Sequence, residues 1–132
     1  MIQPEPIHFF TAARVFGDVK AQLTIWQQRL DNRRSAAVAA FADQLATMQV
    51  PDGISYADFA EAQADIAIDR WCQQRDTFSR EIVSMFEPES VAIAQHLGVA
   101  AGLGQHVGLH LDNALMALDR ELRSVCNSAE PR

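Results

Sequence analysis

A chain of 132 residues with a net charge of −6 has the length of one domain, enough to bury a core without disulfides or a structural metal. Its acidity argues against a general electrostatic grip on nucleic acid, which needs clustered lysine and arginine to displace counterions. The two cysteines, Cys72 and Cys126, are too far apart for a zinc or redox pair and read as reduced thiols.

Residues 1–6 hold Pro4-Glu5-Pro6, without the basic start and apolar centre of a secretory signal. They predict a frayed leader and a cytoplasmic location. No apolar run approaches the length of a membrane span. From Ile7 to about Met48 the apolar residues Val15, Val19, Leu23, Trp26, Leu30, Ala37, Phe41, Leu45 and Met48 recur at threes and fours, which puts them along one side of a long helix. Gly17 breaks the pattern only softly. Arg33 and Arg34 interrupt the stripe, and with Arg29 they form the chain's densest basic cluster. Asp31 sits among them and no aromatics interleave to stack bases, so the cluster reads as a solvated helix face.

Pro51-Asp52-Gly53 reverses the chain, because proline followed by aspartate and glycine suits a tight turn. Ser55 is placed to cap a second helix with Asp58 in its first turn, predicted over 56–87. Its stripe is Phe59, Gln63, Ile66, Arg70, Phe78, Ile82 and Met85, with Trp71 beside it. The polar members predict weak packing at the helix centre. Asp58, Glu61, Asp65 and Asp69 are spaced as paired acids could be, but Arg70 beside them and the Asp76/Arg80 spacing suit a solvated charged face better than acid–base chemistry.

Pro88 stops or kinks this helix, and Glu89 and Ser90 suit the start of a third. Between Leu97 and Gly108 stand Gly98, Gly102, Gly104 and Gly108, each costing a helix about 1 kcal/mol against alanine. This stretch predicts a break, a hinge or a close helix approach. Leu111, Leu115, Leu118, Leu122 and Val125 follow at the four-three spacing of a helix with a helical partner, and Leu111, Leu115, Leu118 and Leu122 are assigned to an oligomer seam. Residues 127–132 read as a frayed tail. His106 and His110 share a helix face, as metal ligands do, yet no Glu-x-x-His or His-Glu-x-x-His pattern accompanies them; they read as structural or surface histidines, with no metal or cofactor expected.

The fold expectation is therefore all-α: one domain over 1–132, a bundle of two long antiparallel amphipathic helices plus a third that is bent or broken, forming a homo-oligomer. No catalytic motif is present: no Gly-x-Ser-x-Gly elbow, phosphate-cradling loop or cysteine nucleophile context. The functional expectation falls on the apolar faces, with Trp26, Leu30, Phe41, Leu45, Phe59, Ile66, Phe78 and Ile82 as the surface that meets an apolar partner.

One resemblance bears on that surface. Trp26-Gln27-Gln28-Arg29-Leu30, the alanine-rich Ala36-Ala37-Val38-Ala39-Ala40-Phe41, the turn, and Asp58-Phe59-Ala60-Glu61-Ala62-Gln63-Ala64-Asp65 running into Arg70-Trp71 and Phe78 resemble the phasins, small amphipathic proteins that coat polyhydroxyalkanoate granules. It covers residues 21–86, about half the chain, as a pattern rather than a signature. The resemblance implies granule coating, oligomerisation and no catalysis. The glycine-rich third segment, the two cysteines and the Arg33/Arg34 interruption depart from the family pattern. The competing reading is a helical protein-interaction module, such as a secretion chaperone or regulator, working through the same faces.

Overall fold

The computed structural model describes residues 6–85 and 99–128, with side chains at Gly17 and over 20–82, 84–85 and 105–128. All the regular structure described is helical: α1 (Pro6–Thr47), α2 (Tyr56–Gln73), α3 (Arg75–Ser84) and α4 (Val99–Ser128). The expected stop at Pro88, Glu89 and Ser90 after it, and Gly98 lie outside the described residues, as do the leader up to Glu5 and the tail beyond Ser128.

The helix boundaries follow local chemistry. After α1 the chain turns through Pro51–Ile54, where the Ile54 N–H donates to the Pro51 carbonyl at 3.3 Å and Gly53 takes φ +84°. That left-handed conformation is why glycine stands there. The Asp58 N–H donates to Ser55 Oγ at 3.1 Å, so Ser55 caps α2 as its position predicts.

The predicted second helix is divided at one residue, Gln74. Its backbone N–H donates to the Trp71 carbonyl at 3.0 Å, three residues back rather than four. The Arg70 carbonyl, which a continuous helix would pair with that N–H, instead accepts from Gln74 Nε2 at 3.2 Å. Gln74 thus supplies both bonds at the break, and α3 restarts with the Phe78 N–H on the Gln74 carbonyl at 3.0 Å. Conversely, the break expected among the glycines is absent from the described chain: α4 runs unbroken from Val99 through Gly102, Gly104 and Gly108. A Cβ added at Gly108 would meet nothing within 4 Å, so Gly108 does not mark a close helix approach.

The core is one cluster shared by the four described helices. Trp26, Leu30, Phe41 and Leu45 from α1, Ala60, Ala64 and Trp71 from α2, Phe78 and Ile82 from α3, and Val107, Leu111, Ala114, Leu118 and Leu122 from α4 are buried together. Covering each large apolar side chain is worth about 1.5–3 kcal/mol. Trp26 is fully buried and its indole N–H donates to the Phe78 carbonyl at 2.9 Å, which satisfies the polar atom it brings inside. Ala60 and Ala64, both fully buried, let α4 approach closely enough for Cys126 Sγ–H to donate to the Ala60 carbonyl at 3.4 Å.

The four-three leucine spacing does find a helical partner, but within the chain. Leu111, Leu118 and Leu122 are buried against the other helices and Leu115 packs half-buried beside them. These residues are corrected from an intermolecular seam to an intramolecular one.

A groove between the first two helices

Ion pairs fasten the helices around the core. Arg33 pairs with Glu81 at 2.6 Å, with Arg29 at 3.5 Å, joining α1 to α3, and the Arg33 guanidinium lies 5.1 Å from the centre of the Phe78 ring. Arg34 pairs with Asp31 at 3.0 Å, and its Nε lies 3.3 Å from Glu121 on α4 without hydrogen-bond geometry. Arg123 on α4 pairs with Asp65 at 2.6 Å, Glu61 at 3.8 Å and Asp119 at 3.2 Å. The hydrogen bond it donates to Asp65 is the main reason its guanidinium is held even more firmly charged than usual, against a partial loss of solvation. Arg75 pairs with Asp112 at 2.8 Å. The Arg29–Arg33–Arg34 cluster is therefore not a free solvated face; it is a set of interhelix clasps. Asp65 likewise serves Arg123 rather than Arg70, and no ion pair joins Asp76 to Arg80 among the described residues.

Those pairs run in order. As α4 advances from Asp112 to Arg123 to Cys126, its partners fall from Arg75 to Asp65 to Ala60. Along α1, Gln27 and Arg34 meet His110 and Glu121, so both numbers rise together.

The histidines separate. His106 is exposed, while His110 is half-buried, hydrogen-bonded through Nε2 to the Gln27 amide and set edge-on to Trp26 with ring centroids 6.5 Å apart. Among the described residues no group of three or more histidine, cysteine or acidic side chains is placed to hold a metal ion.

Of the eight residues expected to meet an apolar partner, six are in the core: Trp26, Leu30, Phe41, Leu45, Phe78 and Ile82. Phe59 is half-buried against it, and only Ile66, at 44% exposure, faces outward. What the closed molecule does offer is a groove of about 530 Å³ between the second half of α1 and α2. Phe41, Leu45, Ala67 and Trp71 line it, with Met48 and Ile66, each 44% exposed, and Gln44, Gln63, Arg70 and Gln74 among its polar members. It opens where Gln63 and Arg70 interrupt the second apolar stripe. The small residues Ala37, Ala40 and Ala67 that leave the space open carried no signal in the sequence, since alanine suits any helix position.

Comparisons with models of known protein families, with curated proteins and with solved structures found no match to this chain. No helix among the described residues is long and apolar enough to cross a membrane.

Proposed function

We propose that the protein is a non-catalytic helical binding module, an antiparallel up-down-up bundle that takes an apolar partner into the groove between α1 and α2. The observation that carries this reading is the groove itself, an apolar trough within the size range of ligand sites, in a molecule whose ion pairs close the remaining seams. It corresponds to the interaction-module reading of the sequence. Retention on octyl-coated beads tests it, because Met48 and Ile66 are exposed and can be changed without opening the core. The double variant Met48→Asp, Ile66→Asp is expected to lose retention, whereas Leu109→Asp, Met116→Asp, changing exposed residues of α4, is expected to keep it. Equal retention of both variants would refute the groove.

A second reading is supported by a separate observation. Among the described residues ion pairs join α1 to α3, α1 to α4, α2 to α4 and α3 to α4, but none joins α1 to α2. That seam can part without separating charges, which would let the core aromatics lie on a polymer or lipid surface as phasin-like granule coating requires. Exchanging one apolar cover for another is nearly balanced in free energy. Sedimentation with polyhydroxyalkanoate particles decides this reading, and wild-type protein left in the supernatant would end it.

A further inference from the structure

Resting on the groove as the binding surface, we infer that its occupant is a short amphipathic helix of a partner protein carrying a carboxylate on one flank. The groove is bounded by residues 37–48 of α1 and 63–74 of α2, a length of about 17 Å at 1.5 Å per residue, or three helical turns. An open trough between two helices, floored by Phe41, Leu45 and Trp71, accepts apolar anchors at i, i+4 and i+7 from a third helix.

Charge selects the flank. Among the described residues no acidic one lines the groove, although the chain as a whole carries −6. Among the described residues its one charged lining residue is Arg70, which, like Lys20, Arg80 and Arg120 elsewhere on the surface, has no ion-pair partner among them. Of the unpaired cations Arg70 is the one at the trough, so the groove meets an incoming helix with a positive and no negative side chain. The side chains of Gln44 and Gln63 also lack hydrogen-bond partners among the described residues and can serve the polar edges of an incoming helix.

The test is a panel of fluorescein-labelled three-turn amphipathic peptides, with varied apolar anchors and either Glu or Gln on one flank, titrated by anisotropy against the full chain and its Arg70→Gln, Ala67→Trp and Ile66→Asp variants. At least one Glu peptide is expected to bind wild type, and Ala67→Trp, which fills the trough, to abolish it. Ile66→Asp, at an exposed position, is the check should Ala67→Trp not fold. Replacing Glu by Gln is expected to weaken binding about two- to fivefold, the worth of a rim ion pair, and to make no difference in Arg70→Gln. Binding without a Glu–Gln difference, or with the same difference in Arg70→Gln, overturns the inference while leaving the groove as a binding surface. If neither peptide nor decanoate binds in a way sensitive to Ala67→Trp or Ile66→Asp, both are overturned. Decanoate binding where no peptide binds, or a dimer in sedimentation that Ile66→Asp dissolves, overturns the inference in favour of a small amphiphile or a second copy.

Discussion

Individual side chains show what single positions can and cannot reveal. Arg33 and Arg34 read as an interruption of an apolar stripe because sequence spacing places residues on a face but does not say what that face meets. The structure sets Glu81 and Glu121 opposite them, so the interruption is a pair of clasps. Ser55 needed no such distant partner, and its role was legible from three neighbouring residues. The cysteines differ for the same reason of context. Cys72 is exposed, while burial pushes the Cys126 thiol above its ordinary range, opposed in part by the charge of Arg123. Cys72 is expected to be alkylated first by iodoacetamide, with Cys126 lagging, as mass spectrometry of the partly labelled chain would show. The same shift has a sign for stability. A thiol whose folded pKa is raised contributes fully below its unfolded pKa, and the contribution is lost as pH rises through the folded value. Denaturant midpoints of wild type should therefore fall in that alkaline window by a component that is missing in Cys126→Ala. Identical alkaline slopes would show that the thiol is not held out of water.

Helices were readable where periodicity and turn chemistry agree, and misread where a side chain far from glycine or proline decides. The turn after α1 and the start of α2 follow from Pro51-Asp52-Gly53 and Ser55. The division at Gln74 was invisible, because glutamine is an ordinary helix residue and its effect lies in bonding the Arg70 carbonyl through its side chain. Tilted packing of Trp71 on Phe78, with ring centroids 4.9 Å apart across the break, accompanies that adjustment. In α4 the error runs the other way. Glycine lowers helix propensity by about 1 kcal/mol, yet Val107, Leu111, Ala114, Leu118 and Leu122 bury one continuous face, and this tertiary packing outweighs the local cost. Gly108 is then a helical glycine with open space around it. Gly108→Ala is expected to stabilise the protein by about 0.5–1 kcal/mol, measured as a higher urea midpoint at unchanged slope. A lower midpoint would mean that Gly108 serves a bend or a close approach after all.

For the molecule as a whole, the all-α class and the core side chains of α1, of α3 and of the leucine series in α4 were legible; in α2 the buried face is Ala60, Ala64 and Trp71 rather than the expected Phe59, Gln63, Ile66 and Arg70, because alanine carries no apolar signal of its own. An apolar stripe records that a face is covered and leaves open whether the cover belongs to the same chain. The leucine series of α4 illustrates this: Leu118, 1% exposed, sits among α1, α2 and α3 residues of its own chain. Leu118→Ala is therefore expected to cost about 2–5 kcal/mol in denaturant unfolding; a change in assembly mass without that loss of stability would return the series to an interface between copies. The candidate site was legible at Phe41, Leu45 and Ile66 and at its polar interruptions, Gln63 and Arg70, but its shape was not, since the alanines that create its space are unremarkable in a helix. The central claim is that the closed bundle binds apolar partners in the trough between α1 and α2. Amide chemical-shift mapping during titration with octyl glucoside below its micelle concentration tests that claim most directly. The account predicts saturable shifts confined to residues 37–48 and 63–74, with the amides of Leu109 and Met116 unmoved; shifts centred on α4, or a general loss of dispersion without saturation, would contradict it.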